Sequence, residues 1–327
     1  MIKRIILICI ISLAITFIFG LLTIPFLRRL KAKQSILKYL KEHFDKSGTP
    51  TMGGLFFVTS IVITFFLLSK GEKVISILSC LVFIGFGIVG FLDDFIKVKF
   101  AKNEGLTPMQ KTLFLIAVAV ISAIFSYRLG LNKLYIPFTK KVIDIGFWYI
   151  PLCVFVFLAT TNCVNLTDGL DGLASSCSAI CFLFSAILIL LQTATVNIYA
   201  NLDEFHNLSY LSISCVGGLL GFLIFNTHKA SVFMGDTGSL ALGGLFASIM
   251  IFSGNALYIP IIGIMFVLSG ISVIIQVGYY KLTKKRVFLM APLHHHFQHK
   301  GVSEPKIVFW YSVVTFLAGL VSIITFV

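Results

Sequence analysis

The order of apolar and polar residues divides the chain into about ten long apolar runs joined by short polar connections. The runs cover roughly 5–26, 52–69, 74–92, 112–130, 149–165, 172–191, 208–226, 239–254, 257–280 and 306–327. A bilayer core about 30 Å thick takes about 20 apolar residues of helix. None of the runs shows the ten-residue alternation of a membrane β-barrel strand. The pattern therefore predicts an all-α integral membrane protein, a single polytopic domain over 1–327. The fifth and eighth runs are short, as in spans that tilt little or are shielded by protein. The first follows Lys3 and Arg4, as a signal peptide would, but it is long enough to span and no small-residue cleavage site closes it. Between two runs, Leu134 to Trp148 alternates weakly around Pro137 and reads as a short hairpin.

Composition agrees, with 58% hydrophobic residues, 12% charged residues and a mean hydropathy of +1.00. Most of the 26 Lys and Arg fall in one set of connections. That set holds Arg28 to Lys46, Lys97 to Lys111, Lys229, and Lys281 to Lys306. The positive-inside rule makes this set cytoplasmic and sends both termini to the other side. A net charge of +13 would otherwise suggest a nucleic-acid partner. Here the basic residues flank spans, where topology and anionic headgroups of the lipid bilayer account for them. No aromatic–basic stripe marks a nucleic-acid surface, and no nucleic acid is expected. The seven cysteines lie in or beside apolar runs without a C-x-x-C pair, and read as small buried hydrophobes.

The candidate chemistry lies where polar residues gather at the cytoplasmic ends of the spans. An ionisable residue beside a hydrocarbon span is costly and is by default a functional candidate. Asn162-Cys-Val-Asn165-Leu-Thr-Asp168-Gly-Leu-Asp171-Gly172 puts two Asn and two Asp between apolar segments. On a helix, Asp168 and Asp171 would share a face; a polar turn with Asp as helix caps is the other reading. Asp93-Asp94 closes the third run, with Lys97 three or four residues on. Phe233-Met-Gly-Asp236-Thr-Gly-Ser239 precedes the eighth, where Thr237 or Ser239 can cap a helix whose N-terminal amides suit an anion. Asp236 there makes most sense with a cation between it and phosphate oxygens, and Mg²⁺ suits such oxygen-only ligation. Ser47-Gly-Thr-Pro-Thr51-Met-Gly-Gly54, beside Lys46, is weak alone. His294, His295 and His296 lie in the last cytoplasmic loop. Three consecutive His converge poorly on one metal, and they read better as hydrogen-bond donors near phosphate.

Five motifs in this order, SGTPTMGG, FLDDF, NCVNLTDGLDGLA, FMGDTGS and PLHHHFQHKG, resemble the polyprenyl-phosphate N-acetylhexosamine-1-phosphate transferases. Within that superfamily they are most similar to the phospho-N-acetylmuramoyl-pentapeptide-transferase branch of peptidoglycan synthesis. The resemblance implies ten spans, a cytoplasmic active site in the bacterial cytoplasmic membrane, Mg²⁺ and a homodimer. It implies transfer of phospho-MurNAc-pentapeptide from UDP-MurNAc-pentapeptide to undecaprenyl phosphate, giving lipid I and UMP. It also assigns candidate roles, with Asp236 as metal ligand and Asp93, Asp94, Asp236 and His294 as catalytic. Lys46 and Thr51 would flank the nucleoside, Phe233 the base, and Lys97 and Lys111 the phosphates. Asn162, Asn165, Asp168 and Asp171 would form the nucleotide-sugar loop, with His295 and His296 beside it. A GlcNAc-1-phosphate transferase of the same superfamily is the near alternative, and an anionic-lipid transporter the remote one. A transporter places its site near the midplane, whereas these Asp cluster at one membrane face.

Overall fold

The computed structural model describes residues 1–29, 48–100, 105–139, 141–195, 201–324 and 326. The protein is an all-α integral membrane protein. Its helices are α1 (Ile2–Arg29), α2 (Gly54–Leu68), α3 (Val74–Lys99), α4 (Pro108–Arg128), α5 (Tyr149–Thr167), α6 (Leu173–Thr195) and α7 (Leu202–Asn226). They continue with α8 (Gly235–Phe252), α9 (Ile259–Ile262), α10 (Ile264–Thr283), α11 (Leu293–His299) and α12 (Glu304–Ile324). Between α4 and α5 lies the expected hairpin, β1 (Lys133–Ile136) antiparallel to β2 (Lys141–Asp144), with Lys133 opposite Asp144.

Among the described residues, nine helices are long and apolar enough to cross a bilayer. The second expected span, over 52–69, corresponds to α2, whose 15 residues rise only about 22 Å. The expected span over 257–280 is broken at Gly263, which separates α9 from α10, and Pro260 stands in the first turn of α9. The third span is longer than its apolar run. Its helix continues through Asp93, Asp94 and Lys97 to Lys99, because those residues find partners inside the protein.

The bundle is built around α8, of which every residue from Thr237 to Phe252 is buried. Its neighbours are α3 and α5, and α6 and α7 form the next buried layer, with α1 against α7 and α12 against α6. The outer faces of α1, α4, α10 and α12 carry exposed large apolar side chains, as lipid-facing helices do. Gly90 sets the distance between α3 and α8. A Cβ there would stand 2.1 Å from the Asp236 carbonyl oxygen, so only glycine lets the two backbones meet at this point. Five of the seven cysteines are buried, and none is in a disulfide.

Candidate functional site

The close approach of α3 to the start of α8 brings three carboxylates together. Asp93, Asp94 and Asp236 each offer an oxygen within 4.8 Å of the others. Their surroundings give them different tasks. Asp94 accepts from the backbone N–H groups of Asp236 (3.2 Å) and Thr237 (2.9 Å) and from the Thr237 hydroxyl (2.7 Å). The N-terminus of α8 is thus an anion site, but its anion is the protein's own carboxylate. This corrects the expectation that Thr237 or Ser239 caps the helix. The cap position is Met234, which makes no side-chain bond, and Asp94 caps across from α3. Gly235 turns the chain into α8 at φ +74°, and a Cβ there would lie 2.5 Å from Asp94 Oδ2.

Asp93 is held through both oxygens. Oδ1 accepts from the Leu106 N–H at 2.9 Å, and Oδ2 lies 2.5 Å from Lys97 Nζ. Asp236 gathers the most partners. Its Oδ2 lies 3.1 Å from Lys97 Nζ and 2.8 Å from Lys111 Nζ. Its Oδ1 accepts from Asn165 Nδ2 at 2.8 Å, and the same amide donates to Ser239 Oγ at 2.8 Å. The donor set is all oxygen, two lysines already supply positive charge there, and a divalent cation of the Mg²⁺ kind fits.

The second wall is the connection from α5 to α6. Asp168 and Asp171 do not share a helix face, because α5 ends at Thr167 and α6 begins at Leu173. They lie in the turn between, and Asp171 Oδ2 accepts from the Ala230 N–H at 3.1 Å. Desolvation pushes the Asp168 carboxyl up to about 8, and the negative charges of Asp236, Asp94 and Asp171 add to this. Asn165 reaches the carboxylates, whereas Asn162 is exposed and donates back to Leu158 of its own helix at 2.7 Å.

Thr51 and Phe233 are brought together by backbone pairing. Phe233 donates to the Pro50 carbonyl at 2.8 Å, and Gly53 donates to the Phe233 carbonyl at 2.9 Å. Thr51 is buried beside Gly235. Lys46 lies outside the described residues.

The third wall is α11. His294 is fully buried, with both ring nitrogens unpartnered among the described residues. Its ring lies against the α5–α6 turn, since a Cβ on Gly169 would stand 2.3 Å from His294 Nε2. Desolvation holds its pKa well below the ordinary value, with His295 adding to the effect, so it is a neutral imidazole. His295 packs beside it, ring centres 4.3 Å apart. His296 turns away, its Nδ1 accepting from the Leu289 N–H at 3.1 Å, and its pKa is lowered by desolvation and by Lys300 and His299.

Several contributors were not singled out in the sequence. Leu106 acts through its backbone, which no side-chain pattern reveals. Gln298 sits one helical turn beyond His295 in the same motif, the available signal for it. Glu304 stood out only as an acid at a span start. Together with Asp171 and His228 it forms a second cluster with ligand atoms within 4.8 Å.

Residues 74–254 match the model of glycosyl transferase family 4, so this multi-pass membrane protein is a transferase. Residues 46–58 match phospho-N-acetylmuramoyl-pentapeptide-transferase signature 1. The chain is 43% identical over 326 residues to the phospho-N-acetylmuramoyl-pentapeptide-transferase of Caldanaerobacter subterraneus subsp. tengcongensis, covering 98% of each chain. It is 43% identical over 329 residues to that of Halalkalibacterium halodurans, covering 99% of this chain and 98% of the relative. Against that of Clostridium perfringens strain 13 it is 42% identical over 313 residues, covering 95% of each. The chain belongs to the phospho-N-acetylmuramoyl-pentapeptide-transferase family.

Proposed function

We propose that this protein transfers phospho-MurNAc-pentapeptide from UDP-MurNAc-pentapeptide to undecaprenyl phosphate, releasing UMP and forming lipid I. The observation that carries the reading is the meeting of Asp93, Asp94 and Asp236 with Lys97 and Lys111 at one end of a membrane bundle. Phosphoryl transfer between two anions needs alignment and charge neutralisation more than covalent help. An oxygen of the acceptor phosphate bonds to the phosphorus that carries the sugar. The bridging P–O bond breaks, and UMP leaves with the bonding pair.

In this reading Asp93 orients the acceptor phosphate and takes its proton, while Asp94 fixes α8. Asn165 orients Asp236, which holds the metal. Mg²⁺, when bound, neutralises diphosphate charge as a Lewis acid. Lys97 and Lys111 turn from Asp236 to the phosphates. Asp168, protonated at neutral pH, donates to the nucleotide sugar, with Asp171 beside it, and Asn162 guards the rim. Phe233 covers the base, and Lys46 and Thr51 flank the nucleoside. His294 hydrogen-bonds the diphosphate as a neutral imidazole, and His295 and His296 extend that wall. The site faces the cytoplasm from the bacterial cytoplasmic membrane, where a soluble donor and a lipid acceptor meet. The chain works as one membrane domain and as a homodimer.

The test is turnover by purified protein with undecaprenyl phosphate, Mg²⁺ and either UDP-MurNAc-pentapeptide or UDP-GlcNAc. UMP should appear in step with lipid product from the first donor and hardly from the second. A higher kcat/KM with UDP-GlcNAc overturns the donor and leaves the reaction class standing.

A further inference from the structure

Asn165 and Ser239 meet where α5 and α8 pack closely. One turn along α8 from Ser239, a Cβ on Gly243 would stand 2.5 Å from Thr161 Cα, and Thr161 lies one turn back along α5 from Asn165. The two helices touch backbone to backbone there, so short side chains can bridge them one turn on. Asn165 Nδ2 lies 2.8 Å from Asp236 Oδ1 and 2.8 Å from Ser239 Oγ, and Ser239 Oγ lies 3.0 Å from the Gly235 carbonyl oxygen. Chemistry fixes each direction. Asp236 is ion-paired through its other oxygen with Lys97 and Lys111, so it is a carboxylate and only accepts. The Asn165 amide must turn its NH₂ toward it, because the reversed amide would oppose two acceptors. The Gly235 carbonyl also only accepts, so the Ser239 hydroxyl gives its one proton there and offers Asn165 a lone pair. Asp236 takes one Nδ2 proton, and Ser239, wholly buried, takes the other.

We propose that Ser239 is a positioning residue, fixing the Asn165 carboxamide, which in turn fixes the Asp236 carboxylate and registers the α5–α6 turn against the start of α8. An amide held by one bond can swing about it, and a second bond stops the swing. Asp236 and Ser239 stand three apart on α8, so the Asn165 amide spans one turn of that helix. Asn165 itself lies three residues before Asp168. The pair therefore ties the wall that carries Asp168 and Asp171 to the wall that carries Asp236. Ser239 acts through Asn165 and not on the reacting atoms. The hydrogen bonding follows from this structure alone, and the effect on turnover rests on the reaction proposed above.

The experiment is ¹H–¹⁵N NMR of asparagine-labelled full-length protein in detergent, with the Asn165 side-chain pair assigned by its loss in Asn165→Gln. In the wild type both Nδ2 protons should show hydrogen-bonded shifts and exchange slowly. Ser239→Ala should return one of them to the free-amide shift and speed its exchange, leaving the other in place. A pair that does not move, or a wild-type pair with only one bonded proton, overturns the proposal. Steady-state rates with UDP-MurNAc-pentapeptide, undecaprenyl phosphate and Mg²⁺ provide the second arm. Ser239→Ala should lower kcat roughly threefold to tenfold, the scale of one neutral hydrogen bond. In the Asn165→Ala background the same change should have no further effect. An equal loss in both backgrounds overturns the positioning role, because a merely structural serine acts in either. Ser248→Ala removes another buried serine of α8, bonded to the Leu245 carbonyl, and should leave kcat unchanged. A loss there equal to that of Ser239→Ala overturns the proposal as well. Should Asn165→Ala fold poorly by size exclusion, the amide shifts of Ser239→Ala decide. Failure of the wild type to turn over UDP-MurNAc-pentapeptide would sink the donor assignment while the NMR result stands.

Discussion

The adjacent aspartates illustrate how little sequence position says about task. Asp94 spends both oxygens on the first turn of α8, while Asp93 faces Lys97 and the Leu106 amide. Asp94→Ala should therefore destabilise the protein by about 0.5–2 kcal/mol, the usual cost of losing a helix cap, besides abolishing turnover. Asp93→Asn should lower kcat by roughly 10²–10⁴, typical of an acid–base group, with a smaller change in Tm. Thermal unfolding in detergent and steady-state rates on the same preparations separate the two. Similar Tm losses in both would contradict the division. Lys111 permits a less intuitive test. Its ammonium occupies Asp236 Oδ2 at 2.8 Å, where a metal would compete for the same oxygen. Lys111→Met should bind Mn²⁺ more tightly than the wild type without substrate, by paramagnetic resonance of the free ion, and yet turn over more slowly. Unchanged or weaker Mn²⁺ binding would show that the lysine does not compete. Asp168 supplies a pH signature. Its folded value of about 8 lies above the unfolded value of about 3.9. Its contribution is thus fully present below pH about 4, declines as pH rises toward 8, and levels off beyond. In chelator-treated protein, Asp168→Asn should flatten that decline, since the amide resembles the protonated carboxyl. A slope identical to the wild type would refute the assignment.

At the scale of elements, the helix–helix contacts decide what the motifs can do. Gly90→Ala would place a Cβ 2.1 Å from the Asp236 carbonyl and push α3 from α8. Overpacking of this kind costs about 1–3 kcal/mol, and here it also parts Asp93 from Asp236. Loss of both Tm and turnover is expected, against a control such as Gly278→Ala, where nothing lies within 4 Å. Most helices were legible as apolar runs, and the hairpin as weak alternation around Pro137. The boundaries were less so. The third run stops at Asp93 on hydropathy, yet the helix continues to Lys99, because charges satisfied by tertiary partners do not end a helix. Asp168 and Asp171 carry helical spacing but sit in a turn, with Gly172 at φ +76° just before α6. Conversely, the carboxylate cluster was legible from residue type and position at span ends. Its internal division was not, since it depends on which side chain meets the start of α8.

For the whole molecule, charge bias gives an orientation that can be measured. A peptide tag inserted in the hairpin after Thr139 should be reached by antibody in intact spheroplasts, and one after Lys285 only once they are opened. The reverse pattern would invert the site. Ten spans were expected from hydropathy. Nine helices among the described residues meet the length, and α2 is the exception because its short helix packs on α7 and α8 inside the bundle.

The Asp94 cap also has a consequence for biogenesis. During synthesis α3 is made long before its partner, as the Thr237 amide follows Asp94 by 143 residues. Until α8 arrives, the third span carries a carboxylate with no amides to receive it, a burden of about 2.5–3.5 kcal/mol if it lies deep in lipid. Only a correctly inserted eighth span relieves it. The carboxylate cluster and the completed bundle therefore form together, and a chain truncated before Gly235 should leave an exposed acidic mark on α3 for membrane quality control to read.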